Sequence, residues 1–134
     1  MRQLDDQVAV SAQIQPSDMQ ELKAQGVTAI INNRPDGEEP GQPLGKDVAA
    51  AAEEAGLDYH YIPIVRGIGP GEIEPMREVF EANSDGKVLA FCKSGTRSGL
   101  AWAVARREQG IARDELEERA SRAGVDLTPV AHLL

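Results

Sequence analysis

Short apolar runs alternate with stretches of helical periodicity along this chain, and that alternation restricts the fold more than any single residue does. Val8–Ser11, Thr28–Ile31, Tyr59–Pro63 and Lys87–Phe91 read as strands, with the residues around Leu4 placed to pair with the first of them across an Asp5-Asp6 turn. Between them lie helical patterns. Ser17 followed by Gln20 is a capping-box spacing for a helix that carries Met19 and Leu22 and ends near Gly26. Asp47 opens a helix with Val48, Ala51, Ala52 and Ala55 on one face, stopped by Gly56. The turn Arg66–Gly71 precedes Ile73, Met76, Val79 and Phe80 at helical spacing, and Leu100, Ala103 and Val104 recur after Phe91 in the same way. Beyond Gly110, Asp114 with Glu117 starts a helix bearing Leu116, Ala120 and Ala123, and Thr128-Pro129 opens a short terminal one. This order predicts an α/β fold: a single domain over residues 1–134, with a mainly parallel central sheet flanked by helices. Ligands of such sheets bind beyond the carboxyl ends of the strands.

At 134 residues and 41% hydrophobic composition the chain can bury one core and not two. No run approaches the length of a membrane span, and Met1-Arg-Gln-Leu-Asp-Asp has no apolar stretch behind it, so we expect a soluble, cytoplasmic protein. A formal charge of −8 opposes general binding to nucleic acid or anionic membrane, while leaving room for a small basic site. The single cysteine cannot form an internal disulfide and leaves a free thiol without a resolving partner.

That cysteine is Cys92, placed where the Lys87–Phe91 strand ends and a helix begins, in the sequence Phe91-Cys-Lys-Ser-Gly-Thr-Arg-Ser98. A buried structural cysteine is the plain alternative. Cores rarely need so much polarity beside one sulfur, and the pattern instead describes an anion cradle. Backbone N–H groups and the positive end of the helix dipole favour an anion at a helix N-terminus, and a thiolate is one. Arg97 adds a permanent forked cation, Ser98 a hydroxyl able to donate to sulfur, and Gly95 a backbone free to turn or to approach a ligand. These features should hold the thiol below the roughly 8.5 of free cysteine, making Cys92 a nucleophile. Cys92, Arg97 and Ser98 are therefore the expected catalytic residues. Lys93, Ser94, Gly95 and Thr96 form the substrate-binding loop, joined by Arg34 from the long polar segment 32–43 and by Arg66. For the last two, the alternatives are surface pairing of Arg34 with Glu38 or Glu39, and a solvated loop charge at Arg66. His60 and Trp102 read as structural, and His132 as incidental. No Cys and His spacing suits a metal, and we expect no metal or cofactor. The Gly-x-Gly at Gly67–Gly69 lacks the rest of a dinucleotide fingerprint.

Two chemistries use such a loop, and they differ in its length. Phosphatase loops place five residues between Cys and Arg, whereas sulfur-transferring rhodanese loops commonly place four, as Lys93 to Thr96 do here. A shorter ring suits one additional sulfur better than a phosphoryl group with three oxygens. Phosphoester cleavage also benefits from an acid at the leaving oxygen, and Ile64–Gly71 offers no carboxylate, with Asp36 and Glu72 the nearest candidates. Sulfur transfer needs none.

The segments Ile30-Ile-Asn-Asn-Arg-Pro-Asp-Gly-Glu-Glu-Pro-Gly-Gln-Pro43 and Phe91–Ser98 resemble the bacterial beta-lactamase-hydrolase-like, phosphatase-like family, also described as a sulfur transferase family. The resemblance covers the chain from about Arg2 through the helix after Ser98. It implies a fold similar to that of dual-specificity (protein tyrosine) phosphatases, with a rhodanese-type loop whose cysteine and arginine fall on Cys92 and Arg97. Lys93 is a mild departure, since arginine is common there. The resemblance further implies a role in sulfide and persulfide metabolism beside a metallo-beta-lactamase-fold persulfide dioxygenase. The leading expectation is a sulfurtransferase that moves sulfane sulfur from a small anionic donor, thiosulfate or a persulfide, through a Cys92 persulfide to a thiol acceptor. The alternatives are a phosphatase working through a Cys92 phosphocysteine and a non-catalytic persulfide- or anion-binding module of such a dioxygenase.

Overall fold

A computed structural model describes all residues, 1–134. Its five strands are β1 (Arg2–Gln3), β2 (Val8–Ser11), β3 (Val27–Asn32), β4 (Asp58–Tyr61) and β5 (Lys87–Phe91), in the sheet order β1-β2-β5-β3-β4. Only the β1–β2 edge is antiparallel, with Arg2 opposite Val10. Its turn forms as expected: the Asp5 carboxylate accepts the N–H groups of Gln7 and Val8 at 2.9 and 2.7 Å. The remaining pairings are parallel, which fits the near-continuous apolar runs.

Helices cover both faces. α1 (Met19–Ala24) and α2 (Gly45–Ala55) lie over one, where Ile30, Leu89 and Phe91 meet Met19, Leu22, Val48 and Ala52 in the smaller core. On the other face, α3 (Pro70–Ala82), α4 (Thr96–Glu108), α5 (Arg113–Arg122) and the terminal 3-10 turn 128–133 close the larger core around Trp102, Phe80, Met76 and Leu116. Fully buried aromatic and aliphatic side chains of this size each stabilise the fold by roughly 1.5–3 kcal/mol. None of these helices is long and apolar enough to cross a membrane.

Three helix starts differ from the sequence expectation, for one physical reason. The first cap is not made by Ser17 and Gln20. Asp18 accepts the Gln15 N–H at 2.7 Å, starting a 3-10 turn that runs into α1. α2 begins at Gly45 rather than Asp47, because Asp36 reaches nine residues forward to accept the Gly45 N–H at 2.7 Å. α5 begins at Arg113, which puts Asp114 inside the first turn. In each case a carboxylate meets the positive end of the helix, and at α2 it comes from a position that local spacing does not reveal.

The ladder sets the place of the site. β5 is the central strand, flanked by β2 and β3, and Cys92 follows its carboxyl end directly. β4 ends at Tyr61 rather than Pro63, yet its pairing is prolonged by Ile62 N–H to Asn32 O and Ile64 N–H to Asn33 O, both 2.9 Å.

Candidate active site

Cys92 is wholly buried. The loop from Cys92 to Gly95 brings the Gly95 N–H to 3.1 Å from the Cys92 sulfur. Gly95 then begins α4 with φ at +96°, and a Cβ there would collide with the Arg2 guanidinium and lie 3.3 Å from the Ser11 backbone. The left-handed φ is what favours glycine here, since the Arg2 side chain could shift aside while the backbone angle could not. Arg2 completes the support by donating to Ser94 O at 2.9 Å and Ala123 O at 3.1 Å.

Burial pushes the Cys92 thiol up, but the backbone N–H groups of Ser98, Gly95 and Ser94 help to outweigh it and hold the thiol below its ordinary value. The expected role of Ser98 needs correction here. Its hydroxyl donates to Asn33 Oδ1 at 2.8 Å, and a hydroxyl has one proton to give, so the larger contribution of Ser98 to the sulfur comes from its backbone N–H.

Asn33 is the hub that sequence reading missed. It is fully buried, its side-chain amide donates to Ile62 O at 2.8 Å, and its N–H donates to Phe91 O at 2.8 Å. One residue thus ties the ends of β3, β4 and β5 to the helix behind the sulfur. Its trace in the sequence is the pair of asparagines straight after an apolar strand: buried amides must be paired, and pairing fixes geometry.

Arg97 is less free than its position suggests. Nη1 and Nη2 grip the Glu38 carboxylate at 2.7 and 2.9 Å, and Nη1 also donates to Ile64 O at 2.9 Å. The Glu38 pairing raises the guanidinium pKa further, burial opposes this, and the charge of Cys92 adds to it from the edge left unpaired by Glu38. Arg97 in turn holds the Glu38 carboxyl down to about 2, with a desolvation effect opposing it and Arg34 assisting. Arg34 does pair with Glu38 and Glu39, at 2.9 and 2.7 Å, but as a buried bracket, its guanidinium also donating to Gln13 at 3.0 Å. It does not reach the sulfur directly; it fixes the two glutamates that meet Arg97 and Lys93. Lys93 is exposed and lies 3.2 Å from Glu39. Ser94 and Thr96 join their hydroxyls at 3.1 Å on the outer side of the loop.

The structure does not bring Arg66 to the sulfur. It is exposed on the loop after β4 and has no ion-pair partner. Asp36 Oδ1 accepts the Gly45 N–H at the start of α2, and the Asp36 N–H donates to the Tyr61 hydroxyl at 3.1 Å. Glu72 lies in the first turn of α3. The result is a buried thiol with a lowered pKa in a ring of amides, an arginine beside it, and a carboxylate that holds the arginine.

Known proteins are similar to this chain in sequence or in fold. A beta-lactamase hydrolase-like protein of Agrobacterium fabrum is 37% identical over 128 residues, which cover 92% of this chain and 29% of that protein; the chain thus spans less than a third of the curated relative's length. A crystal structure of a candidate phosphatase from Neisseria meningitidis is similar with a TM-score of 0.78 and 33% identity, covering 95% of this chain and 90% of that one. Human DUSP28, at 17% identity and TM-score 0.70 over 96% of this chain and 88% of its own, shares the fold. The family model described as beta-lactamase hydrolase-like protein, phosphatase-like domain, matches residues 1–109, and this chain, an α/β domain with the phosphatase-type fold, belongs to that family.

Proposed function

We propose that this enzyme transfers sulfane sulfur through Cys92. The observation that carries the reading is the four-residue Cys92–Arg97 loop, combined with the absence of a free carboxylate on the loop after β4. The Cys92 thiolate attacks the outer sulfur of thiosulfate or a persulfide. The donor's S–S bond breaks, and its electron pair leaves with sulfite or a thiolate. An acceptor thiolate then attacks the outer sulfur of the Cys92 persulfide and restores the Cys92 thiolate. Neither step requires an oxidant or a general acid, because each leaving group departs as a stable anion. The amides of Ser94, Gly95 and Ser98 hold the sulfur's negative charge, and Arg97 with Lys93 draws the anionic donor in.

The second reading, phosphoester hydrolysis through a Cys92 phosphocysteine, is favoured by the relatives, since the family is described as phosphatase-like and the Neisseria protein as a candidate phosphatase. One preparation separates the two: thiocyanate formation from thiosulfate and cyanide is measured beside hydrolysis of p-nitrophenyl phosphate. Sulfur transfer predicts thiocyanate, together with one sulfur atom added to Cys92 in the intact mass and removed by cyanide. Phosphatase turnover without that adduct reverses the assignment. Cys92→Ser should abolish transfer, since a hydroxyl neither ionises comparably nor carries sulfur. Arg97→Ala should weaken anionic donors by about 1.5–3 kcal/mol, the scale of a hydrogen bond to a charged group.

A further inference from the structure

Beside Arg97, a groove of about 380 Å³ runs between the loop after β4 and the terminal turn. Val65, Ile68, Leu100 and Leu133 supply its apolar walls. Val65 is 69% exposed and Leu133 41%, and they are two of only five large hydrophobic side chains left exposed on the molecule. Its polar groups are all potential cations or donors: Arg66, Arg97 and His132. No Asp or Glu lines it, although the chain has 22 acidic residues against 14 Lys and Arg. Arg97 joins this groove to the Cys92 loop, because the same guanidinium that flanks the sulfur donates to Ile64 O at the groove's head.

We propose that the groove binds the organic body of the sulfur-carrying substrate, a small thiol or persulfide with an apolar portion and a carboxylate. This rests on the sulfur-transfer reading and names its substrate class. The apolar portion covers Val65 and Leu133, and the carboxylate meets Arg66 and His132, the two residues that the catalytic loop itself does not employ. Sulfane sulfur then stands at the Arg97 end. Cys92 bonds to the outer sulfur, the donor S–S bond breaks, and the carbon-bound sulfur keeps the electron pair and departs as a thiolate. Thiosulfate has no such body and gains nothing from the groove.

Two measurements test this. The first compares donors: the persulfide of 2-mercapto-3-phenylpropionate should exceed that of mercaptoethanol in kcat/KM by about tenfold or more, the value of burying a small apolar group. Val65→Glu and Leu133→Glu, each on a surface position, should lower that ratio by a similar factor. A ratio near one in the unaltered protein, or one unchanged in both variants, overturns the proposal. The second measurement is calorimetric binding of 3-phenylpropionate, which carries no transferable sulfur, to the resting protein; it should bind, and both variants should lose it. Because this binding does not depend on the reaction, its failure removes the groove assignment alone. Failure of every donor to add sulfur to Cys92 removes the transfer reading instead. Insensitivity of 3-phenylpropionate binding to both substitutions would show that the ligand sits elsewhere and would overturn the assignment.

Discussion

Two arginine–carboxylate clusters lie at opposite ends of the parallel sheet, with nearly equal bond lengths and different work to do. At the amino ends of the strands, Asp5 accepts Arg106 Nε at 2.9 Å, the Trp102 indole at 2.7 Å, and two backbone N–H groups. Arg106 spends its other nitrogens on Gln109 and Gln7 and lies 4.7 Å from the Phe80 ring centre. Each of its three guanidinium nitrogens thus has a partner within the cluster. At the carboxyl ends, Glu38 accepts from both Arg97 and Arg34, but Arg97 retains an edge towards Cys92. Ion-pair length therefore says little about role. What separates a structural pair from a functional one is whether a donor remains unspent beside a nucleophile.

The sharpest way to break this comparison is to remove one carboxylate at each end. Asp5→Ala strips partners from a cluster whose two charged side chains are each only 15% exposed, leaving Arg106 without its countercharge and the Trp102 indole unpaired. The loss should be about 3 kcal/mol, read by urea denaturation, with catalytic activity per folded molecule retained. A comparable loss of activity per folded molecule would mean that the far cluster also shapes the site.

Glu38→Gln should behave in the opposite way. The Arg97–Glu38 pair is more than a quarter exposed on both sides, so water screens much of it and stability should change by no more than about 1 kcal/mol. Function should change more. Arg34, Arg97 and Lys93 face only Glu38 and Glu39, and deleting one negative charge makes the entrance more attractive to dianions. Inhibition by phosphate or sulfate should strengthen about tenfold, equivalent to 1.4 kcal/mol. Unchanged inhibition, with the protein folded, would leave Glu38 a tether and nothing more.

The two clusters also show how much the sequence discloses. The alternation of strands and helices is legible because burial on two sheet faces leaves a periodic trace. Cys92, Gly95 and Arg97 are legible because packing alone does not call for so many polar residues beside one thiol. Asp5 reads locally as a turn residue, yet its bonds to Trp102 and Arg106 span about a hundred residues of chain and leave no local pattern. Glu38 and Glu39 are visible only as neighbours of Arg34, since the partner that gives Glu38 its role, Arg97, arrives from another strand end. Spacing assigns the hydroxyl of Ser98 to sulfur because the buried acceptor that claims it, Asn33, lies 65 residues away. Local chemistry is written locally; its second partner is set by the sheet.

The smallest expected effect concerns acid, and it separates the clusters by sign and window. Both carboxyls lie lower in the folded protein than when free: at Asp5 burial opposes the shift and the bonds from Arg106, Trp102 and Val8 prevail, while Arg97 takes Glu38 down to about 2. A group whose folded pKa is depressed contributes stability above its unfolded pKa and loses it as pH falls towards the folded one. For Glu38 that window runs from about 4.5 down to about 2. Its contribution is small because the pair is partly exposed and salt screens it. Urea midpoints followed across this range should fall as pH falls in the unaltered protein, and Glu38→Gln should remove a minor part of the slope, with about 0.5 M salt removing much of the same part. Asp5→Ala should flatten the acid limb more strongly and less salt-dependently, because its partners are better shielded from water. Equal flattening by both substitutions, with equal sensitivity to salt, would erase the distinction between the closed cluster behind the sheet and the open one beside Cys92.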